Sequence, residues 1–310
     1  MTQALSSFDT FDLKAFLDKA GIRYQESVKL SALTKMAIGG NCPFLIEPDN
    51  EAQLLSLISE LRRESVDFRI LGAGSNLLID DTGISEPVIK LGKGFRYEKF
   101  LSETEVEVGG AMPLMQFARK VSERGLSGLE FAGGIPASIG GAVRMNAGAH
   151  GGEMSKLISS VTYIDPEEGL KTVDASEITF EYRKTSIPKD AVITKVILKF
   201  SKTDPKQCTE LIRANLEARK AAQPLTLPSS GSIFKNPSTD NTAGKLLERC
   251  GMKGVKKGGA SVSTMHANWI VNEGKDAKAR EVLELIEECQ KAALEKEGIE
   301  LTPELVTWLK

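Results

Sequence analysis

The feature that most constrains the fold is a glycine-dense segment in the middle of the chain. FAGGIPASIGGAVRMNAGAHGG (residues 131–152) has seven glycines in 22 residues, so we expect neither a long helix nor a regular strand there. Ordering so many glycines costs conformational entropy, and such density is typical of backbone that lies close to a flat or charged group. A planar cofactor is one interpretation, and a set of tight turns at a domain junction is the other.

A second glycine-rich loop, GAGSN (72–76), directly follows the strand pattern DFRIL (67–71). Its two glycines allow close approach of a ligand to the backbone, and Ser75 and Asn76 add side-chain donors, which suits an anion such as a pyrophosphate. A tight turn with a capping serine is the alternative. The loop lacks the third glycine of the Rossmann fingerprint, and a strand rather than a helix follows it. Two such loops in one half of the chain favour a dinucleotide.

Composition and charge exclude several classes of protein. The 310 residues carry 40 basic and 42 acidic side chains, and this balance argues against a general nucleic-acid binder. No apolar run approaches the roughly 18 residues that span a bilayer, and the N-terminus lacks the basic region of a secretory signal. We therefore expect a cytoplasmic protein that binds neither membrane nor nucleic acid, and the sequence indicates no protein partner.

Cysteine and histidine usage argues against a metal site. The four cysteines lie far apart and form no CxxC pair, so we expect reduced thiols in the core rather than a metal or disulfide set. The chain has only two histidines, and a zinc site is not expected. The prediction is a protein without a bound metal.

Hydrophobic periodicity predicts an α+β chain. Helices are expected at 12–20, 51–65, 112–125, 205–222 and 276–297. Strands are expected at 67–71, 77–79, 87–91, 105–110, 157–165, 170–174 and 191–200. The last helix should bury one apolar stripe, formed by Val282, Leu285, Ile286, Cys289 and Ala293. The pattern divides into an α+β unit up to about residue 200, in two lobes, and a smaller α/β unit after it.

The segment SSGSIFKNP (229–237) carries candidate polar groups. Ser232 follows a glycine and could present its hydroxyl in a cleft, but no histidine neighbours it, so a hydrolase nucleophile is not indicated. A role in proton transfer is consistent with this position, and an ordinary loop serine is the alternative. Lys235 and Asn236 are suited to holding a phosphate or a carboxylate.

Two further charged residues are candidates. Arg183 lies in EYRKTS (181–186), and its planar guanidinium could bind a carboxylate or stabilise developing negative charge. Glu304 follows a proline near the C-terminus. The alternative for both is an exposed side chain at the surface.

Taken in order, these segments resemble the UDP-N-acetylenolpyruvoylglucosamine reductase family, flavoenzymes of peptidoglycan precursor synthesis. The resemblance is collinear from about residue 30 to the C-terminus and covers some nine-tenths of the chain. The combination of GSIFKNP, GGAVRMNAGA and HANWIVN is highly specific. The matching segments are MAIGGNCPFLIEP (36–48), ILGAGSNLLI (70–79), FAGGIPASIGGAVRMNAGAHGGEM (131–154), FEYRKTS (180–186), SSGSIFKNP (229–237), AGKLLERCGMKGVKKGGASVSTMHANWIVN (243–272) and LTPEL (301–305).

The resemblance implies a two-lobed FAD-binding domain of the vanillyl-alcohol-oxidase-like (PCMH) type plus a C-terminal α/β substrate-binding domain. The implied divisions are 1–75 and 76–205 for the two lobes and 206–310 for the substrate domain, with the last residues packing back on the first lobe. The chain is similar to the shorter subclass, which lacks an inserted segment whose tyrosine covers the substrate.

The resemblance also implies non-covalent FAD between the lobes. Its pyrophosphate is expected on the 72–76 loop and its isoalloxazine near 133–148. The implied cofactor-binding residues are Gly72, Ala73, Gly74, Ser75, Asn76, Gly133, Gly134, Ile135, Pro136, Ser138, Gly140, Gly141, Asn146 and Gly148.

The implied activity is NADPH-dependent, FAD-mediated reduction of UDP-N-acetylglucosamine enolpyruvate to UDP-N-acetylmuramate. Ser232 matches the family's serine that protonates C2 of the enolpyruvyl group, and Arg183 and Glu304 match the pair that stabilises the intermediate and its carboxylate. Asn236 matches a residue at the diphosphate of the substrate, with Lys235 beside it. NADPH and the UDP-sugar are the implied partners.

One departure from the family pattern lies at the C-terminus. After the terminal Pro-Glu the family usually continues Val-Arg, whereas this chain continues with Leu305 and Val306, so an arginine expected near Glu304 is absent. Two other interpretations stay open at this point. One is another PCMH-type flavin oxidoreductase with a different substrate, and the other is a non-catalytic protein that binds flavin or a UDP-sugar.

Overall fold

The computed structural model describes residues 12–310. Within these residues there are seven α-helices, which are α1 (Leu13–Ala20), α2 (Glu51–Arg63), α3 (Leu114–Ser122), α4 (Ile139–Arg144), α5 (Pro205–Ala222), α6 (Ala243–Arg249) and α7 (Ala279–Glu297). Short 3₁₀ turns lie between several of the larger elements.

The same residues contain many short strands. In the first two-thirds of the chain they are β1 (Arg23–Lys29), β2 (Asn41–Glu47), β3 (Arg69–Ile70), β4 (Leu77–Ile79), β5 (Val88–Ile89), β6 (Glu98–Phe100), β7 (Glu105–Gly109), β8 (Leu126–Ser127), β9 (Gly148–Ala149), β10 (Gly152–Glu153), β11 (Ile158–Asp165), β12 (Gly169–Asp174), β13 (Phe180–Glu181), β14 (Lys184–Thr185), β15 (Val192–Lys199) and β16 (Ser201–Lys202). The remaining strands are β17 (Ser229–Ser232), β18 (Lys256–Lys257), β19 (Ala260–Val262), β20 (Trp269–Val271) and β21 (Val306–Trp308).

Side-chain caps fix the ends of the first helix. Asp12 accepts a hydrogen bond from the Ala15 N–H at 3.0 Å at the start of α1. Gly21 ends the helix with a φ of +62°, and its N–H donates to Asp18 and Leu17 carbonyl oxygens. Capping by a short acidic residue and termination by glycine are the usual signals at helix ends, so the sequence sets both boundaries locally.

The first compact unit comprises the described residues up to Val28 together with Cys42–Gly72 and Ser85–Asn215. One of its sheets has the order β1-β2-β5-β3, with parallel pairing of β5 to both β2 and β3. The other sheet is antiparallel, with the order β12-β11-β15-β7-β6. Each sheet contributes to a hydrophobic core, one with α1 and α2 and the other with α3 and α4. The unit therefore has two cores.

The second unit comprises Lys29–Asn41, Ala73–Ile84 and Leu216–Lys310. Its four-stranded sheet has the order β17-β20-β19-β18, and its core includes α6 and α7. The last strand, β21, pairs in parallel with β4. The segments 29–41 and 73–84 therefore cluster with the C-terminal part of the chain. The assignment of 1–75 and 76–205 to FAD and of 206–310 to the substrate stays a prediction.

The predicted elements agree with the structure except near their ends. The stripe on α7 is confirmed, because Val282, Leu285, Ile286, Cys289 and Ala293 are all buried. In α2 the helical spacing predicts a buried face of Leu54, Leu55, Ile58 and Leu61; the structure also buries Leu57, and Leu55 is only half-buried. Helix α3 begins later than expected because Pro113 occupies its N-cap.

The structure also locates the thiols. All four cysteines are buried and unpaired, in agreement with their prediction as core thiols. Between residues 12 and 310 no group of three or more His, Cys, Asp or Glu side chains is arranged to hold a metal ion. None of the helices described is both long and apolar enough to cross a membrane.

His266 is half-buried in the turn that precedes β20 of the second unit. Its Nδ1 accepts a hydrogen bond from the Asn268 N–H at 3.2 Å, and Gly244 packs so closely that a Cβ there would lie 2.6 Å from the imidazole Cε1. Burial lowers the pKa of His266 below its usual value. The neutral imidazole, which can accept at Nδ1, is therefore the form that suits the fold.

This environment predicts a specific loss of stability in mild acid. Unfolded His266 takes up a proton near its usual pKa while the folded form does not, so its contribution to stability is complete above about pH 6.5 and is lost as the pH falls towards the lowered folded pKa. The melting temperature of H266Q, measured by circular dichroism between pH 8 and pH 5, should therefore fall less than that of the wild type. H150Q, at the exposed second histidine, should follow the wild type. If the melting temperatures of H266Q and the wild type fell equally between pH 8 and pH 5, the lowered pKa of folded His266 would be contradicted.

Candidate active site

Residues 73–76 form a loop in the second unit, in which Ala73 is exposed and Gly74 is buried. Gly74 has a φ of +63°, and a Cβ at this position would lie 2.1 Å from the Leu33 carbonyl oxygen. The Gly74 carbonyl oxygen accepts from the Lys35 N–H at 2.8 Å, which fixes the loop against this neighbouring segment. The backbone N–H groups of 73–76 donate to no acceptor in residues 12–310. Successive unused N–H groups are what an anion-binding loop requires.

Asn76, at the end of this loop, holds the C-terminal segment. Its Nδ2 donates to the Glu304 carbonyl oxygen at 2.9 Å, and its own carbonyl oxygen accepts from the Val306 N–H at 3.2 Å. The two segments then continue as the parallel strands β4 and β21. The sequence predicted Asn76 as a donor to the cofactor, and the structure shows its side-chain amide acting as a support for Glu304.

Ser232 and Glu304 lie on adjacent segments of the second unit. The Glu304 N–H donates to the Ile233 carbonyl oxygen at 2.7 Å, and Phe234 forms an antiparallel bridge with Pro303. The structure therefore brings together two of the three predicted catalytic residues. Ser232 itself is half-buried at the end of β17.

The backbone around Ser232 is irregular. Gly231 has a φ of +80°, and the pairing of β17 with β20 changes register between Ser229 and Ser232. Such a break in the ladder redirects the side chains on either side of it. Glycine at 231 permits this geometry because L side chains rarely adopt a positive φ.

Asn268 fixes the segment that carries Ser232. It is buried, its Oδ1 accepts from the Phe234 N–H at 2.9 Å, and its Nδ2 donates to the Phe234 carbonyl oxygen at 2.8 Å. Its backbone carbonyl oxygen also accepts from the Ile233 N–H. The sequence quoted this residue only within the HANWIVN motif and assigned it no role. The sequence signal for this role was the position of Asn268, a polar amide directly before the apolar strand β20.

The two predicted substrate-binding residues follow directly. The Asn236 Oδ1 accepts from the Ala243 N–H at 3.1 Å, at the start of α6. Its Nδ2, a donor of the kind that phosphate oxygens accept, makes no hydrogen bond in the described chain. Lys235 is half-buried, and its N–H donates to the Thr302 carbonyl oxygen at 2.9 Å. Lys235 therefore lies beside the segment that leads to Glu304, and Asn236 lies at the start of α6.

In the first unit, the two glycine-rich segments meet at Gly72 and Ser138. A Cβ at the exposed Gly72 would lie 2.9 Å from the Ser138 Oγ. Ser138 caps α4, with its Oγ accepting from the Gly141 N–H at 3.3 Å. Nearby, Pro136 is exposed and Ile135 is half-buried, so the loop offers an accessible surface to a ligand.

Several of the other glycines have a packing reason within the protein itself. A Cβ at Gly133 would lie 2.7 Å from Ile212, and a Cβ at Gly148 would lie 2.6 Å from the Gly152 carbonyl oxygen. At Gly140 two carbonyl oxygens lie 3.3 Å from the Cβ position. The sequence predicts that these glycines let the backbone approach a cofactor closely. The structure shows that some of them instead let the backbone approach other parts of the protein. Contact of Gly133, Gly134, Gly140, Gly141 and Gly148 with FAD stays a prediction.

Arg183 lies in the two-residue turn between β13 and β14. Its φ is +59°, a conformation that is uncommon for a residue with a long side chain. Its Nη2 donates to the Gly148 carbonyl oxygen at 3.0 Å, and its Cζ lies 4.8 Å from the centre of the Tyr182 ring. The turn thus presents the guanidinium next to the glycine-dense segment.

Asn146 is buried and ties the same turn to the glycine-dense segment. Its Nδ2 donates to the Glu181 carbonyl oxygen at 3.2 Å, and its Oδ1 accepts from the Ser155 N–H at 3.0 Å. The side chain that the sequence assigned to the cofactor is thus engaged by the protein. A contact between Asn146 and FAD stays a prediction.

The residues present fit a dinucleotide such as FAD. In the second unit, the 73–76 loop supplies unused backbone donors for a pyrophosphate. In the first unit, Gly72 approaches Ser138 so closely that a larger side chain at 72 would displace the Ser138 hydroxyl. When bound, FAD supplies hydride transfer, which no side chain of the twenty amino acids provides.

Comparison with known proteins agrees with this fit. Residues 43–174 match the profile of an FAD binding domain, and residues 223–308 match the UDP-N-acetylenolpyruvoylglucosamine reductase, C-terminal domain. The UDP-N-acetylenolpyruvoylglucosamine reductase of Anoxybacillus flavithermus is 38% identical over 283 residues, which cover 91% of this chain and 93% of that protein. The Bacillus subtilis protein of the same name is 38% identical over 88% of this chain and 89% of its own length.

A solved structure agrees as well. The crystal structure of the UDP-N-acetylenolpyruvylglucosamine reductase from Thermus caldophilus superposes with a TM-score of 0.80 at 33% identity, and the match covers 93% of this chain and 99% of that one.

The two cores of the first unit and the match over 43–174 define a flavoprotein with an FAD-binding domain of the PCMH type. The C-terminal match and the relatives specify it further, and the chain belongs to the UDP-N-acetylenolpyruvoylglucosamine reductase family. The predicted family and fold class, a two-lobed FAD-binding domain followed by a C-terminal α/β domain, are confirmed, as is the prediction of a flavin-dependent oxidoreductase with FAD and NADPH.

Substitution of Gly74 by alanine should disrupt the loop for a steric reason. Both G74A and G251A place alanine at a left-handed φ, which costs about 1–2 kcal/mol. Only at Gly74 does the new Cβ also collide with a carbonyl oxygen, since nothing lies within 4 Å of that position at Gly251. Denaturant unfolding should show a clearly larger loss of stability for G74A, together with weaker retention of FAD. Equal losses for the two variants would show that the contact with Leu33 does not constrain the loop.

Proposed function

We propose that this protein reduces the enolpyruvyl group of UDP-N-acetylglucosamine enolpyruvate to give UDP-N-acetylmuramate, with NADPH as the hydride donor and FAD as the carrier. Membership of the reductase family supports this proposal, because matched relatives carry that name and the match extends through the C-terminal domain. The structural observation that best supports this activity is the hydrogen bond of 2.7 Å from the Glu304 N–H to the Ile233 carbonyl oxygen, which holds Glu304 beside Ser232.

We assign proton donation at C2 of the enolpyruvyl group to Ser232. A hydroxyl is a weak acid at neutral pH, so it donates effectively only to a strongly basic carbon. Addition of hydride at C3 creates such a carbon at C2. The position of Ser232 supports this role, because the residue follows an irregularity in the strand ladder and its side chain is only half-buried.

We assign charge stabilisation to Arg183 and Glu304. Negative charge that develops at C2 spreads into the adjacent carboxylate, and a planar guanidinium can bind that group through two parallel hydrogen bonds. The strained turn that presents Arg183 supports this role, because such conformations cluster at functional sites. Glu304 is held through its backbone by Asn76 and Ile233, and we propose that its carboxylate orients the charged groups around the substrate.

We assign the diphosphate of the substrate to Asn236 and Lys235. The Nδ2 amide of Asn236 is a suitable donor, and the Lys235 ammonium adds positive charge. The FAD-binding residues proposed from the sequence retain that assignment, with the pyrophosphate on the 72–76 loop.

We further propose that the reaction takes place in the cytoplasm, where NADPH and nucleotide sugars are available. Its product would then enter peptidoglycan precursor synthesis and so serve cell wall biogenesis, cell shape and cell division. We propose no membrane, nucleic-acid or protein partner for this activity.

A direct test is to incubate the FAD-loaded protein with NADPH and UDP-N-acetylglucosamine enolpyruvate in D₂O and to analyse the product by mass spectrometry and NMR. We expect a product that is reduced across the C2–C3 bond and that carries one deuterium from solvent at C2. Oxidation of NADPH without conversion of the sugar would instead indicate another flavin oxidoreductase. No oxidation of NADPH by the flavin-loaded protein would favour a binding protein.

Replacement of Ser232 should separate the two halves of the reaction. In S232A, reduction of the flavin by NADPH should proceed as in the wild type, while reoxidation by the enolpyruvyl sugar should slow by about 10²–10⁴-fold, the usual contribution of a positioned acid. Anaerobic stopped-flow absorbance measures both rates. S238A, at an exposed serine six residues along the chain, is the control and should match the wild type. Equal loss of both rates in S232A would remove Ser232 from the role of proton donor.

A further inference from the structure

Arg144, in the glycine-dense segment, has a role that the sequence did not indicate. It is the last residue of α4, and its guanidinium donates to three backbone carbonyl oxygens of the chain that follows the Arg183 turn. Nη1 donates to the Ile187 and Pro188 oxygens at 2.9 and 2.6 Å, and Nη2 donates to the Ala191 oxygen.

These hydrogen bonds satisfy the guanidinium donors of Arg144. Among residues 12–310, no carboxylate lies within salt-bridge distance of Arg144; desolvation by burial lowers its pKa to about 10, and the attraction of the Asp190 carboxylate offsets this only in part. Withdrawing a cation from water is costly, so its donors must be satisfied by the protein. Three carbonyl oxygens aligned on one planar guanidinium meet that need, and in doing so they restrict the conformation of 187–191.

The same short segment also holds the other side of the turn. The Arg144 carbonyl oxygen accepts from the Thr185 Oγ1 at 3.4 Å, and Asn146 donates to the Glu181 carbonyl oxygen at 3.2 Å. At the tip, Arg183 donates to the Gly148 carbonyl oxygen. Residues 144–148 therefore contact the hairpin before, at and after its tip.

The tip needs such support. Arg183 has a positive φ, and a residue with a long side chain keeps this conformation only where its surroundings impose it. The Arg144 side chain makes three hydrogen bonds to the segment 187–191, which follows β14. Without them, apolar packing of Ile187 and Ala191 in the core shared with α4 would remain, but the carbonyl groups of 187–191 would lose their polar connection to α4.

From this geometry we infer that Arg144 is a positioning residue, which holds the hairpin of 181–191 so that Arg183 keeps the orientation needed to stabilise negative charge on the substrate. The inference about catalysis rests on the proposed function. Arg144 itself touches neither substrate nor cofactor in this role. Its effect is confined to the half-reaction that uses Arg183, since reduction of the flavin by NADPH develops no charge on a substrate carboxylate.

The test uses the FAD-loaded full chain with R144M and R144K. Methionine retains much of the side-chain length without any donor, while lysine keeps the charge but not the planar fork that reaches three acceptors. R119M, at an exposed arginine on α3, is the matched control. Two readouts are needed, hydrogen exchange of the peptide 181–191 by mass spectrometry and the rates of the two half-reactions by anaerobic stopped-flow.

We expect faster amide exchange in 181–191 for both Arg144 variants, without a matching change in β11 or α7. Reoxidation by the sugar should slow by about 10–100-fold, the effect of a misplaced catalytic group. Reduction by NADPH should change by less than about twofold. R144K should not restore the wild-type rate, and R119M should match the wild type in every measurement.

Three results would overturn the inference. They are unchanged exchange in 181–191, equal slowing of both half-reactions, and faster exchange with no change in the reoxidation rate. A wild-type protein that does not react with the enolpyruvyl sugar would contradict the proposed function instead, and the exchange data alone would then decide whether Arg144 holds the hairpin.

Discussion

The second unit depends on hydrogen bonds that the backbone of Glu304 makes near the end of the chain. Glu304 is held by its N–H on the Ile233 carbonyl oxygen and by its own carbonyl oxygen on the Asn76 side chain, and the next residues pair with β4. One short segment thus ties the 73–76 loop to the segment of Ser232. Because the bonds are made by the backbone, the position of Glu304 does not require the arginine that the family usually carries nearby. The departure at Leu305 and Val306 is compatible with a fixed Glu304 for this reason.

The first unit relies on a comparable arrangement, in which short glycine-rich backbone is stabilised by a few polar side chains. Ser138 caps α4, Asn146 bridges to Glu181 and Ser155, and Arg144 binds three carbonyl oxygens. The hydrogen bonds of these groups offset the entropic cost of ordering a glycine-dense segment. The consequence is a loop that is irregular and still well defined, which is what binding of a planar cofactor and presentation of a guanidinium both require.

Local patterns predicted much of the fold, and non-local contacts limited the rest. The periodic stripe of α7 and the strand predicted at 191–200 were correct because each depends on neighbouring residues only. The bond from Asn76 to Glu304 joins residues 228 positions apart, and no local pattern encodes such a pair. For the same reason the clustering of 29–41 and 73–84 with the C-terminal part could not be foreseen. Asn268 and Arg144 were missed because amide and guanidinium groups that serve the backbone look like ordinary polar residues in the sequence.

The most direct test of the proposed activity is anaerobic stopped-flow absorbance of the purified wild-type protein at about 450 nm, where oxidised flavin absorbs. NADPH is added first and UDP-N-acetylglucosamine enolpyruvate second. Bleaching by NADPH followed by recovery on addition of the sugar is the expected result, because the proposed site serves both substrates. Bleaching without recovery would contradict the assignment of the sugar and of Ser232, although the flavin-binding fold would stand.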